Sequence, residues 1–526
     1  MQCPLAGWAI IICAGCGLGA LFPNERAYAA AALVLLLVAS LALCHQKIRA
    51  RTFWLAWLAA FAVATTLGAR VGDAKKRELA FVETHRRDTI VEGWISAVRE
   101  GKSSAGNDRH ELTLQDITLI SPDGTRMPLS VARLEMRCYS DIPGADFQPG
   151  EWWRFSASRN PWLAVSGEPK MRPRLTASGN FSQAERMDCN SAAFMRGLMR
   201  LRKNVASRLG LGVAPERAPE AAIVCALLLG LREDIPSDTR GFFRYSGTGH
   251  LFAISGLVVG MVALMMAWPL RFTRLRYDRW GLVLIPGILF YGALTGAAPS
   301  AVRACLMLTV YWLVPLFGVR VSALSAISAA AVLLVGFEPA NILDMGFWLS
   351  FTVTAGLIVF TRHAQKFFEW LFIGRENADV AKLLSRHEPA WRKWLRRHIA
   401  ALAAVSLTAW VMAAPVGIYF FEQFVPGGML ANMVIVPLVF FVVCLAGASL
   451  ALGLVWTQGA ALLNNAMVSL VQVMHGGAVV FAAQPLGAYA VKWPFGIAGL
   501  VCAYLALAVF GFWLHARFAQ DGELDF

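Results

Sequence analysis

The sequence predicts an all-α polytopic membrane protein that carries one small β-rich domain outside the membrane. Three observations lead to this fold class. Of the 526 residues, 57% are hydrophobic and only 16% are charged, which is unusual for a soluble globular protein. Apolar stretches long enough to cross a bilayer recur along the chain. Residues 73–190 interrupt them with short alternating runs typical of strands.

About twelve transmembrane helices are predicted, from apolar stretches of about 17 or more residues. The first stretch lacks the basic start of a signal peptide and two more follow at once, so we interpret it as a retained anchor. The predicted spans are 5–22, 27–44, 52–71, 250–270, 281–297, 300–318, 321–336, 345–361, 400–421, 429–454, 459–482 and 491–515.

Basic residues are concentrated in particular loops between these spans. Arg271, Arg274, Arg276 and Arg279 lie between the fourth and fifth spans, and linker 362–399 carries nine Lys/Arg against four Asp/Glu. Such loops usually face the cytoplasm. Spans that alternate from an inside N-terminus place all of them inside. Both termini are therefore predicted to be cytoplasmic.

The interrupting segment predicts a small all-β domain, which the same alternation places outside. Residues 110–115 and 134–138 alternate apolar and polar side chains, as strands with one buried face do. Turn signals such as Pro122-Asp123-Gly124 separate the strands. Roughly five to seven strands in so short a segment indicate a barrel or a sandwich, an OB-like fold being one option.

Four tryptophans of this domain have two interpretations. Trp94, Trp152, Trp153 and Trp162 suit either a base-stacking platform or a hydrophobic core, and in so small a domain the core is favoured. The domain carries 17 Lys/Arg and 16 Asp/Glu between Lys75 and Asp188, so it is almost neutral. Neutrality argues against strong phosphate binding by this domain alone.

The connector that follows contains two unusual segments. Phe194–Leu209 has an apolar stripe flanked by arginines and a lysine, which fits a helix on a membrane surface or a basic collar for a polyanion. Ala221–Gly230 is apolar but too short to cross, so we expect it to be re-entrant or to lie at the outer surface. The predicted organisation is a helical region 1–72, the β domain 73–190, the connector 191–245, a helical channel domain 246–515 and a tail 516–526.

Cysteine and histidine spacing predicts no enzyme, no metal site and no cofactor. Most of the ten cysteines lie in or beside spans, whereas Cys138 and Cys189 belong to the external domain, where a disulfide between them is expected. The nine histidines are scattered and form no H-E-x-x-H motif. Gly101-Lys102-Ser103 lacks the first glycine of a phosphate-binding loop, since Ser96 occupies that position.

Several polar side chains are predicted at a similar depth, near the outer ends of the spans. Together they suggest a water-filled vestibule, although each alone also suits a helix cap or a snorkelling residue, and Arg303 and Asp344 also suit a structural ion pair. Small residues and prolines beside them allow close or broken helices. The candidate pathway residues are His250, Ser255, Gly256, Arg303, Asp344, Ser350, Gln423, Asn432 and Pro437.

Four sequence blocks between about 220 and 450 resemble the competence domain of the ComEC family of DNA-uptake channels. Their order and spacing also match. The blocks are Ala226-Leu227-Leu228-Leu229-Gly230 with 246–260, Tyr291–Gly296 with Pro299–Ala304, Asp344–Phe351, and Phe421–Phe424 with Leu430–Asn432 and Pro437. The β-rich domain resembles the OB-like N-terminal module of that family.

The resemblance implies a plasma-membrane channel that passes one DNA strand into the cytoplasm. It also implies partners: single-stranded DNA, membrane lipids, a DNA receptor outside, and a motor or single-strand-binding proteins inside. Val258, Met345 and Trp348 depart from the family pattern, in which histidine, proline and glutamine are usual. We expect no metallo-β-lactamase-like nuclease domain, because the chain ends soon after its last predicted span.

Two other functions remain open from sequence. The same helical bundle is compatible with transport of another envelope or lipid-linked substrate. A lipid-acting membrane enzyme would use His250 and Asp344 as acid and base, but these lie on different spans without an evident third orienting group.

Overall fold

The structure is a computed structural model that describes most of the chain after residue 65. The predicted spans 5–22 and 27–44, most of 52–71, and Cys189 lie outside the described residues. The described residues are 66, 68–85, 89–102, 108–129, 133–139, 151–157, 163–166, 174–187, 192–232, 235–253, 255–319, 322–373 and 390–519.

Strands occupy one part of the sequence and helices occupy nearly all the rest of the described chain. Strands β1–β7 are Ile90–Lys102, Asp108–Ile120, Arg126–Pro128, Arg133–Tyr139, Trp152–Ala157, Leu163–Ser166 and Arg174–Met187, and the short strands β8 and β9 are Gln423–Phe424 and Tyr489–Ala490. Helix α1 covers 68–84. Helices α2–α13 are Ala192–Leu209, Ala218–Leu229, Ser237–Tyr245, Gly256–Ala267, Gly281–Leu294, Pro299–Leu313, Ala323–Phe337, Met345–Ile373, Ala390–Phe421, Gly428–Leu452, Thr457–Ala482 and Gly496–Ala519.

The chain forms two compact units. The first is drawn from residues up to 205 together with 289–297 and 328–347, and it contains strands β1–β7. The second is drawn from 206–288, 298–327 and 348 onward, and it contains most of the helices.

Five strands of the first unit close into a ring. Their hydrogen-bonded order is β1-β2-β4-β7-β5, and β5 pairs back onto β1. All of these pairs are antiparallel except β4 with β7, which are parallel. The shorter strands β3 and β6 lie beside β2 and β7. The seven strands between 90 and 187 agree with the number expected from sequence.

The ring has a closed apolar interior because its strands alternate inward and outward residues. Val91 and Phe155 are fully buried and are direct partners on β1 and β5. Trp153 lies on the same side as Phe155 and its ring stacks on that side chain, at 6.2 Å between centroids. Trp153 is therefore a core residue, as the favoured interpretation of the tryptophans predicted.

Five helices of the structure are long and apolar enough to cross a bilayer. Each overlaps a predicted span, and two of them are longer than predicted: Met345–Glu369 ends eight residues after the span 345–361, and Trp394–Phe421 begins six residues before the span 400–421. The five helices are Pro299–Phe317, Met345–Glu369, Trp394–Phe421, Gly428–Leu452 and Thr457–Ala482. The segments Gly256–Phe272 and Ala323–Phe337 are shorter apolar helices. The described chain is thus mostly helical, with a small sheet as a separate element.

Two predicted spans begin or end differently in the structure. The span expected from residue 250 becomes an α-helix only at Gly256, because Gly249–Ala253 forms a 3-10 turn and Ser255 caps the helix that follows. The span expected over 281–297 ends at Leu294, since Gly296 adopts a left-handed φ of +78°. Apolar composition alone does not reveal these local stops.

The connector is packed more closely than its sequence suggested. Helix α3 buries most of its length, including Val224 and Leu227, and it packs against α12. On α2, Arg202 is only 8% exposed, and its guanidinium lies so close to Gly296 that a Cβ there would be 2.9 Å from Nη1. Arg202 therefore does not belong to an exposed basic face of α2.

Candidate functional site

Arg303 forms the best-defined polar contact among the candidate pathway residues. Its helix α7 begins with Pro299 at the first turn, where the missing N–H of proline costs no hydrogen bond. Arg303 lies one turn further and is only 7% exposed. Its Nε donates a hydrogen bond to Oγ of Ser350 on α9, at 3.2 Å. A guanidinium buried in an apolar helix is costly and usually functional.

The helix beside Arg303 approaches closely because it starts with small residues. A Cβ on Gly256 would be 3.4 Å from Cβ of Ala304, the neighbour of Arg303 on α7. Ser255 caps this helix by accepting the backbone N–H of Val258, at 3.4 Å. The structure thus brings Gly256, Arg303 and Ser350 together where α5, α7 and α9 meet.

Asp344 acts as a helix cap, which is one of the structural roles considered for it from the sequence. It lies between the 3-10 turn Pro339–Leu343 and helix α9. Its Oδ1 accepts the backbone N–H of Gly346, at 2.8 Å. A carboxylate here also complements the positive end of the helix dipole.

His250 lies in a tight turn at the start of the predicted helical domain 246–515. Its Nδ1 is 3.3 Å from the carbonyl oxygen of Gly247, and the side chain is exposed. Before it, Ser246 and Thr248 are fully buried and their hydroxyls share a 2.8 Å hydrogen bond. This turn holds its shape through its own buried hydroxyl groups.

Gly247 connects this turn to the start of α11. Its φ is +80°, and a Cβ there would be 3.2 Å from Cα of Gly428. A side chain at Gly428 would in turn meet the indole of Trp410 at 3.2 Å, while Trp410 Nε1 donates to the carbonyl of Val425, at 2.8 Å. Glycine is required at both positions because backbone and an aromatic ring occupy the space a side chain would need.

Gln423, Asn432 and Pro437 lie on or near the same end of α10 and α11. Gln423 pairs with Ala490 in the short β8–β9 ladder. Asn432 lies one helical turn after Gly428, and Pro437 lies inside α11. Proline inside a helix removes one backbone hydrogen bond and bends the axis.

The sequence interpretation missed Asn464, the most completely bonded polar side chain of the helical unit. Asn464 is fully buried on α12 and accepts a hydrogen bond from the hydroxyl of Ser449, at 2.6 Å. Its Nδ2 donates to the carbonyls of Arg208 and Leu211, at 2.9 and 3.0 Å. An adjacent pair of asparagines in an apolar span was the signal available, since such residues are expensive in a bilayer.

Comparison with known proteins identifies the helical region. Residues 227–517 match a family described as Competence protein. The chain is 27% identical over 273 residues to ComE operon protein 3 of Bacillus subtilis, covering 52% of this chain and 31% of that protein. It is 39% identical over 129 residues to Competence protein ComA of Neisseria gonorrhoeae, covering 22% of this chain and 18% of that protein.

A further relative carries no functional name. The uncharacterized protein YcaI of Escherichia coli is 27% identical over 232 residues, which cover 43% of this chain and 28% of that protein. This chain therefore covers less than a third of the length of each of these three relatives. No solved structure matches it.

Proposed function

This chain belongs to the Competence protein family, and we propose that it is a plasma-membrane channel that passes single-stranded DNA into the cytoplasm during natural transformation. Family membership implies a role in DNA uptake. The observation that carries the channel proposal is the buried Arg303, held by Ser350 in a close-packed set of apolar helices. A fixed cation in a low-dielectric passage attracts phosphate far more strongly than it would in water.

The proposal includes a full set of about twelve spans and an OB-like external domain. The ring order β1-β2-β4-β7-β5 supports the latter, since a five-stranded Greek-key barrel is the OB architecture. On its outer surface Trp94 and Trp152 meet edge to face at 5.1 Å, and both are partly exposed. Such an aromatic pair offers stacking surface to single-stranded bases before entry.

The proposed protein supplies a passage and not chemistry. We propose that it is no enzyme, that a receptor presents DNA outside, and that a motor or single-strand-binding proteins draw the strand inward. Membrane lipids surround the helices. Both termini are proposed to lie in the cytoplasm, on the side of the basic linker before α10.

Deletion of the gene and its replacement test the function. Cells receive a fluorescent double-stranded fragment, and we measure the labelled strand in the cytoplasm and the label held at the cell surface. Loss of the cytoplasmic signal with normal surface signal, restored by the intact gene, is the expected result. Normal import in the deletion strain would reject the channel and would favour transport of another envelope or lipid-linked substrate.

The contacts of the connector also predict its topology. Leu211 is held beside the α11–α12 loop through Asn464, whereas Gly247 touches Gly428 at the other end of α11. A helix of 25 residues is about 37 Å long, more than the hydrocarbon core of roughly 30 Å. Simple alternation had placed the whole connector on one side. Exposed Leu211 and Tyr245 should therefore lie on opposite sides.

Single cysteines at these two positions test the topology in a chain whose other cysteines are replaced. An impermeant maleimide applied to intact cells should label one of Leu211→Cys and Tyr245→Cys, and label the other only after the membrane is opened. Labelling of both positions from outside would instead support the alternation of predicted spans, which places the whole connector on one side of the membrane.

A further inference from the structure

Two buried polar atoms in the α11–α12 hairpin lack a hydrogen-bond partner among the described residues. They are Oδ1 of Asn432 on α11 and Nε2 of His475 on α12. Both helices are long and apolar enough to span a membrane. Both atoms are buried within the bundle.

The two atoms belong to neighbouring levels of the same hairpin. A Cβ on Gly477 would lie 4.0 Å from Cγ1 of Ile435, which sets the register of the antiparallel helices. Asn432 is three residues from Ile435, and His475 is two residues from Gly477. At 1.5 Å per residue, Asn432 and His475 are about 8 Å apart along the hairpin axis.

The segment 242–247 contacts His475 and the first turn of α11, on which Asn432 follows. The imidazole of His475 lies nearly parallel to the ring of Phe243, at 10° and 6.4 Å between centroids, and 6.0 Å from the ring of Phe242. Gly428, one turn before Asn432 on the same helix face, packs against Gly247.

Leaving such atoms unpaired destabilises the protein, because a buried polar group without a partner keeps its full desolvation cost. The same pair of helices also contains a polar side chain whose polar atoms are all hydrogen-bonded within the protein. Asn464, also on α12, has both its Oδ1 and its Nδ2 hydrogen-bonded within the protein. The contrast between Asn464 and Asn432 points to a ligand that completes Asn432 and His475 only when it is present.

We propose that Asn432 and His475 contact the base edges of the DNA strand as it passes through the bundle. This inference rests on the proposed channel function. The Oδ1 of an asparagine can only accept hydrogen bonds, and phosphate oxygens of DNA also only accept, so they do not pair. Bases offer N–H donors to Oδ1, and the imidazole Nε2 donates or accepts according to its tautomer. Arg303 attracts the phosphates, whereas these two residues hold the bases.

Apolar variants separate this role from a structural one. Asn432→Leu and His475→Phe remove an unpaired polar atom, so protein abundance should stay the same or rise. Import of a labelled fragment should nevertheless fall about fivefold in each, the effect of about one lost hydrogen bond. Asn464→Leu is the matched control: it removes the hydrogen bonds that Asn464 makes with Ser449 Oγ and with the carbonyls of Arg208 and Leu211, so its abundance should fall.

A base-free substrate makes the test specific for bases. In wild-type cells, a fragment whose centre carries a stretch of abasic sites in both strands loses both contacts and should be imported more slowly than the intact fragment by more than the roughly fivefold effect of either single variant. Each single variant should keep part of this difference, and in the double variant Asn432→Leu/His475→Phe the two fragments should be imported at the same rate. Normal import of the intact fragment by both variants, or an equal loss on both fragments, would overturn the inference. Import in the deletion strain would instead overturn the channel itself.

Discussion

The buried carboxylates described in the β domain are paired, whereas the helical unit contains both paired polar groups, such as Asn464, and unpaired ones. In the β ring, Glu92 and Glu151 are about 5% exposed or less, and each is paired: Glu92 with Arg154 at 2.6 Å, Glu151 with Arg186 at 3.0 Å. In the helical unit, Asn432 and His475 each keep a buried atom without a partner among the described residues.

This difference separates stability from function. A buried carboxylate that is paired and hydrogen-bonded helps to specify a single fold, and the ring needs nothing else to satisfy it. A polar atom left unpaired in an apolar bundle weakens the fold, and the proposed function assigns such an atom a contact with the substrate. On that proposal the β domain is complete in itself, whereas the helical unit is completed by the strand that passes through it.

The largest effect on the β domain is expected from its disulfide. Cys189 lies outside the described residues, so the predicted Cys138–Cys189 bond remains a prediction from sequence. Closing a loop of about 50 residues should stabilise the domain by about 4 kcal/mol. Mass spectrometry of the unreduced protein should recover the linked peptides. Free thiols at both positions would show that the disulfide does not form and that it does not stabilise the β domain.

A smaller effect is expected from Glu151, whose carboxylate joins β5 to β7 and whose backbone carbonyl accepts the N–H of Ile95 on β1. The carboxylate accepts a hydrogen bond from Nε1 of Trp153, at 3.0 Å, as well as pairing with Arg186. Glu151→Ala leaves the buried indole N–H unpaired and should destabilise the domain by about 2 kcal/mol. Hydrogen exchange of the full chain in detergent measures this, with faster exchange in β1, β5 and β7.

A matched substitution on the ring surface provides the control. Asp123 is exposed in the turn after β2, where hydroxyls of Ser121 and Thr125 hold its carboxylate and lower its pKa. Asp123→Ala should leave exchange in β1 and β5 unchanged. Equal exchange in Glu151→Ala and wild type would show that the buried pair does not stabilise the ring.

The sequence predicted those parts of the fold that depend on continuous patterns. Long apolar runs located α11 within a few residues and the start of α9, which continues 12 residues beyond the predicted span 345–361, and alternation located β2 and β4. Features set by long-range contacts were not predictable. Nothing local to Arg202 shows that Gly296 covers it, and nothing in the sequence shows that the β ring closes through β1 and β5.

The sequence identified residues of the candidate site, but it did not predict the contacts that these residues make. Arg303 was identified because a cation in an apolar helix is rare, yet its hydrogen bond to Ser350 depends on how two helices pack. Asp344 was singled out as a polar residue at the same predicted depth as Arg303, and in the structure its carboxylate caps its own helix. His475 was passed over because a single histidine in a span carries no motif.

The central claim is that a polar side chain buried in the helical unit acts on the transported strand, and Arg303 tests it most directly. Arg303→Ala should abolish import of labelled DNA into the cytoplasm, while abundance and DNA held at the cell surface stay normal. Arg303→Lys keeps the charge but loses the planar guanidinium, so import should recover in part. Asp344→Asn, which keeps a capping oxygen, should import DNA normally. Full import by Arg303→Ala, or loss of abundance equal to its loss of import, would contradict the account.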